Sequence, residues 1–142
     1  MVEVDLLKIV QSLQPKITFL VGNQNAPVPE HVFCYVTNLG SNDVGMGEMS
    51  NIDNTETINS IIRYTISFTY HGTIQADPAK YSRQLQRYLR SSDFINKLTE
   101  KGYSLWRVNN IINAPVLKGV DIYTSSTLDI ILATNESDQY EV

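Results

Sequence analysis

The chain has one cysteine, two histidines and no apolar run approaching the roughly 20 residues that cross a bilayer. With Cys34 alone, no disulfide can form within the chain, which agrees with a reducing compartment. The first residues, MVEVDLLKIV, carry Glu3 and Asp5 where a secretory signal needs basic charge. The chain is therefore expected to stay in the cytoplasm, with no membrane partner. Reactive groups are as scarce. His31 and His71 are the only neutral-pH bases and Cys34 the only thiol, and in a strand His31 and Cys34 would point to opposite faces. Paired metal-ligand spacings are missing. The glycines of GSNDVGMG are followed by acids and lack the lysine of a phosphate-cradling loop, and its acids lack the alternation of a calcium loop. No catalytic residue, metal or cofactor is expected, and Cys34 reads as a small buried hydrophobe.

Basic charge is missing from one end. Met1–Asp77 holds eight acids and three bases, Pro78–Lys118 eight bases and two acids, and Gly119–Val142 five acids and no base. The blocks carry −5, +6 and −5 within a net charge of −4. An acidic whole argues against general coating of nucleic acid, while a basic middle between acidic ends invites head-to-tail contact between copies.

The apolar residues are organised. Leu6, Ile9, Val10 and Leu13 fall at helical spacing, so residues 3–14 read as a helix that Pro15 ends. KITFLV and HVFCYVTN are β-rich runs. A longer strand follows, with Ile58, Ile62, Tyr64, Ile66, Phe68 and Tyr70 on one face and Arg63, Thr65, Ser67, Thr69 and His71 on the other. Asp77 and Pro78 open a second helix, with Asp77 able to cap free amides and Tyr81, Leu85, Tyr88 and Leu89 as the buried stripe. Ser91–Ser92 interrupts it, Phe94, Ile95 and Leu98 continue the apolar face, and Gly102 stops it. YSLWRVNNI and TSSTLDIILAT are the last two strand candidates. The order predicts an α+β fold, a mostly antiparallel sheet of about five strands with helices packed on one face.

A single domain is expected over residues 1–134, with a long flexible loop at 40–57 and an acidic C-terminal tail at 135–142. Lys80, Arg83, Arg87 and Arg90 share one helical face, which reads as a solvated surface, a contact to the acidic loop or tail of a neighbouring copy, or a site for passing DNA. In GNQNAPVPE, Pro27 and Pro29 fix two φ angles and push Ala26 and Val28 toward extended geometry. Asn23, Gln24 and Asn25 thus project amides from a stiff segment, suited to a neighbour's backbone or to an ordinary extended loop.

NQNAPVP before a strand, the alternating IIRYTISFTYHG, and the helix DPAKYSRQLQRYLRS ending near EKGYSLWRV together resemble the neck and tail-terminator proteins of long-tailed bacteriophages. The resemblance runs over residues 5–134 and rests on Gln24, Asn25, Pro27 and Pro29, then Gly72, Ala79, Leu85 and Leu89. SFTYHG lacks the acid, and YTSSTLDI the arginine, often found at those places in the family, which leaves tail terminator, neck connector and head-completion protein all open. The resemblance implies a non-enzymatic virion protein, commonly a hexameric ring, assembled in the host cytoplasm. It implies contact with other copies, with tail tube or sheath protein and with a neck or head-completion protein, and DNA only in passage. Subunit-contact candidates are then Asn23, Gln24, Asn25, Pro27, Lys80, Arg83, Arg87 and Arg90. A small soluble α+β binding module or enzyme accessory subunit is the alternative.

Overall fold

Helical periodicity decides the first element. The computed structural model, which describes residues 1–22, 31–118 and 121–141, places α1 at Val2–Leu13 with Val2, Leu6, Ile9 and Val10 buried. Strands β1 (Thr18–Val21), β2 (Phe33–Ile52) and β3 (Thr55–Thr73) follow, then helices α2 (Pro78–Tyr88) and α3 (Ser92–Glu100). Strands β4 (Ser104–Val108), β5 (Ile112–Lys118) and β6 (Asp121–Glu141) complete the chain. Three helices with a mostly antiparallel sheet make this an α+β fold. The six strands run β1-β2-β3-β6-β4, with β5 also on β6, and only β1 and β2 pair in parallel.

Alternation along β3 sets the core. Ile62, Ile66, Phe68 and Tyr70 are buried, and register sets Phe68 opposite Leu128, Ile66 opposite Ile130 and Cys34 opposite Tyr70. Ile66, Phe68, Tyr70, Cys34, Leu128 and Ile130 join Leu6 and Val10 of α1, Leu85 of α2 and Phe94 and Leu98 of α3 in one cluster. Each fully buried Leu or Phe contributes about 1.5–3 kcal/mol.

The helix ends follow their local chemistry, with one exception. Ser91 caps α3 by accepting from the Phe94 N–H at 3.1 Å. At the other end the Gly102 N–H donates to Thr99 O and the Tyr103 N–H to Leu98 O, a two-bond closure that needs the positive φ of Gly102 (85°). Asp77, expected to cap α2, makes no side-chain cap bond: its own φ is 50°, and its carboxylate turns to Arg83 instead.

Three expectations are corrected. Residues 40–57 are not a loop but the outer part of the β2–β3 hairpin, and residues 135–141 are not a tail but the end of β6. The sheet has six strands rather than about five, because INAPVLK pairs with β6 as β5. Pro115 fits there because β5 has a ladder partner on one side only among the described residues, so its missing N–H can face outward.

The outer parts of β2, β3 and β6 form a three-stranded arm. Pairing runs to Ile52↔Thr55 on one side of β3 and to Thr55↔Glu141 on the other. The link Asp53–Asn54 has φ of 51° and 62°, the two positive values that a tight primed hairpin turn requires. At the arm's root, Leu39 is extruded at a register shift between Asn38 and Gly40, where Asn38 Oδ1 accepts from the Gly40 N–H at 2.9 Å and Gly40 takes φ 138°. From Ile62 to Thr55 the arm is about 25 Å long at about 3.4 Å per residue. None of residues 49–61 or 134–141 enters the core cluster, and Met49, Ile52 and Tyr140 are exposed at the end of the arm.

Candidate functional site

Helix α2 presents what its periodicity predicted. Leu85 is buried, Tyr81 stacks on Tyr70 of β3 at 6.4 Å and 18°, and Lys80, Arg83, Arg87 and Arg90 are all exposed. Arg83 Nη2 lies 3.6 Å from Asp77 Oδ2, both side chains about half exposed (51% and 52%), a pair of small worth. Among the described residues the other three cations have no ion pair, so most of this charge is unspent within the chain. Asn23, Gln24, Asn25 and Pro27 lie outside the described residues. On their near sides the Gly22 N–H donates to Val36 O at 2.9 Å, and Thr18 Oγ1 lies 2.8 Å from His31 Nε2.

The reactive side chains are kept apart. Cys34 is fully buried in the core, and burial pushes its thiol well above the ordinary range, so no thiolate is available. His71, its neighbour in register by one, faces the other side of the sheet and stacks on Phe33 at 5.1 Å, with Tyr35 edge-on at 5.6 Å. An exposed polar chain joins Tyr88 O–H to Asp93 Oδ2 (2.6 Å) and Lys97 Nζ to the same oxygen (3.2 Å). Those two partners hold the Asp93 carboxyl below its ordinary range, and Asp93 in turn holds Lys97 above its own. It sits on an exposed helix face and ties α2 to α3 rather than facing a cleft. Among the described residues no group of three or more His, Cys, Asp or Glu side chains is arranged to hold a metal ion.

The arm is the other exposed feature, and its charge is of one sign. Residues 40–57 and 135–141 contain seven acids and no base. Register brings Glu56 opposite Tyr140, next to Thr55↔Glu141, and Asp138 opposite Ile58, so three acids gather within a few ladder steps of the tip. Among the described residues no ion pair involves an acid of the arm. Nearer the root, Tyr64 O–H donates to Glu136 Oε1 at 3.2 Å, and Ser137 donates to Asn59 Oδ1 across the ladder. Beside it lies an open cleft of about 370 Å³ lined by Ile61, Tyr103, Trp106 and Thr134. Arg63 covers the Trp106 ring at 5.3 Å from its centroid, a cation–π contact on a half-exposed indole.

Sequence reasoning missed the arm and Trp106. Asp53–Asn54 was the available signal for the first, since paired Asp/Asn residues tolerate left-handed geometry in a two-residue turn. For the second it was the chain's only tryptophan beside an arginine, in SLWRV.

With a basic helix face and an acidic arm outside the core cluster, this is a small α+β protein. The chain belongs to the phage neck terminator protein family, whose model matches residues 4–142. The match covers the acidic residues after 134, in keeping with their place in β6 rather than in an appended tail. Membership makes this a bacteriophage neck and tail component of the virion and supports a structural role. No curated protein matches the chain.

Proposed function

We propose that this protein forms a closed ring of identical subunits, six being the order the resemblance implies, which caps the tail tube and joins it to the neck or head. The observation that carries the reading is the family match over nearly the whole chain. The charge geometry supports it. A ring closes by heterologous contacts, two different surfaces meeting at every junction, and this chain carries two exposed surfaces of opposite sign. The three helices share one core cluster with the sheet, and none of residues 49–61 or 134–141 belongs to it, which supports an arm that reaches outward. The partners are then other copies of the chain, the tail tube or sheath, and a neck or head-completion protein, with DNA only passing through. No catalytic step is needed, and Asn23, Gln24, Asn25, Pro27, Lys80, Arg83, Arg87 and Arg90 serve as contact residues. Assembly takes place in the host cytoplasm and the product resides in the virion neck.

Light scattering on the eluting protein, followed by negative-stain microscopy alone and with purified tails, tests this. Closed rings, or a density capping the tube end, are expected. A chain that stays monomeric at every attainable concentration and leaves tails uncapped refutes the ring and favours a small soluble binding module.

A further inference from the structure

We infer that the acidic arm of one subunit docks on the basic face of α2 in the next, an interface that rests on the ring reading above. The two surfaces cannot meet within one chain. Helix α2 lies against the sheet at Tyr70 and Ser126, where Tyr81 stacks on Tyr70 and the Ser82 hydroxyl donates to Ser126 O at 3.3 Å. Tyr70 and Ser126 are themselves paired across the ladder, and the arm tip at Thr55 is fifteen positions further along the same continuous strand. At about 3.3 Å per residue that is about 50 Å. The acids at the tip and the cations on α2 are therefore out of each other's reach in the subunit, far beyond the roughly 8–10 Å over which salt leaves exposed charges coupled.

Their sizes and chemistry match across a junction. Lys80 to Arg90 extends about 15 Å along the helix at about 1.5 Å per residue. The three strands of the arm span about 10 Å at about 4.8 Å between neighbours, with Asp53, Glu56, Asp138 and Glu141 near the end. The tip also exposes Met49, Ile52 and Tyr140, apolar groups that a partner surface would cover and that the stems of long basic side chains suit. A second copy satisfies both halves at once, because every subunit then offers one arm and receives one. A tail protein seated on the arm would leave α2 unmatched.

Charge reversal in two places tests this. One variant carries Arg83→Glu and Arg87→Glu, the other Glu56→Lys and Asp138→Lys, all at exposed or half-exposed positions. Each alone should raise the concentration needed for half-assembly by about tenfold or more, since at each junction two attractions become two repulsions. Raised salt should weaken the wild type in the same direction. The two variants mixed in equal amounts should assemble again as alternating rings, because the arm of each then faces a helix of opposite charge. All four changes in one chain should restore assembly as well. Assembly is read by light scattering, on the protein alone or on purified tails, with thermal melts confirming that each variant is folded. Failure of both the mixture and the four-fold variant to recover overturns the pairing, because arm and helix would then bind different partners. Unchanged assembly of each two-substitution variant on its own overturns the interface while leaving the ring intact. Loss of tail capping with rings preserved assigns the arm to a tail protein and overturns it too. A wild type that never assembles, alone or on tails, refutes the ring itself.

Discussion

Gln14 should be among the most sensitive single positions in the subunit, although it is polar and stands at a helix end. It is 3% exposed, and its side-chain amide joins three elements. Its Nε2 donates to Tyr81 O at 2.9 Å and Gln84 Oε1 at 3.2 Å on α2, while its Oε1 accepts from the buried Tyr70 hydroxyl of β3 at 2.6 Å. Gln14→Ala leaves the Tyr70 hydroxyl without that acceptor where water cannot replace it, at about 1–3 kcal/mol, and loses about 1 kcal/mol of buried methylene. A total near 2–4 kcal/mol is expected. Tyr70→Phe should cost less, about 1–2 kcal/mol, because the Gln14 amide keeps its two α2 partners. Combined, the two changes should cost less than their sum by about 1 kcal/mol or more, since once the hydroxyl is gone its acceptor is no longer missed. Urea unfolding gives each value, with the midpoint falling and the slope unchanged. A Gln14→Ala cost below about 0.5 kcal/mol, or strict additivity, would refute the claim that this bridge holds α1 and α2 to the sheet.

Gly102→Ala should lower stability by about 1–2 kcal/mol through backbone strain alone, because φ is +85° and no atom lies within 4 Å of the added methyl; a neutral result in urea unfolding would show that the turn relaxes. Burial holds the Tyr70 phenol well above its ordinary range and those of Tyr64, Tyr88 and Tyr103 above it, so their contribution is complete below the ordinary tyrosine pKa and is lost as pH rises through the folded values; unfolding midpoints measured across alkaline pH should fall. Asp93, held low by Tyr88 and Lys97, acts with opposite sign, present above the ordinary carboxylate range and lost as pH falls, and Asp93→Asn should flatten that acid limb. Cys34 should resist thiol reagents until the protein unfolds, and alanine at Cys34, His31 or His71 should alter stability or assembly rather than any chemical rate; a turnover abolished by one of them in a folded variant would overturn the contact-only reading. In the free subunit, hydrogen exchange should show protection falling from Ile66 toward residues 49–58, rising there on assembly; equal strong protection of arm and core in a verified monomer counts against an arm awaiting a partner.

What was legible in the sequence is what buries apolar surface. Leu6, Ile9 and Val10 announced α1, Ile66, Phe68 and Tyr70 announced the inner half of β3, and Ser91 and Gly102 marked the ends of α3. The arm was not legible for the same reason. Residues 49–61 and 134–141 stay outside the core cluster, GSNDVGMGEMSNIDNTET and NESDQYE have no period of two, and what makes them strands is backbone pairing with β3 that no side-chain pattern records. Strand β5 was hidden behind Asn113 and Pro115, residues that argue against a central strand and are harmless at an edge. Asp77 misled because its carboxylate has two possible partners and the left-handed backbone favours Arg83 over the helix amides. The basic face of α2 was readable outright from intervals of three and four. The surface of opposite sign had been seen only as two unrelated segments, and only the ladder joins Glu56 to Tyr140 and Thr55 to Glu141.

That continuity has a mechanical consequence. β3 and β6 run unbroken from Thr73↔Tyr123 beside the helices to Thr55↔Glu141 at the tip, with no hinge between. A pull delivered at the tip is directed along the strands, while the ladder bonds lie across them. Such a load must shear many bonds together; it cannot peel them one at a time. β6 is gripped along its inner half by β3 on one side and by β4 and β5 on the other, and anchored through Leu128, Ile130 and Leu132. Tension applied to the arm therefore reaches the core with little give, and under rising force the contact at the tip should part before the subunit that carries it.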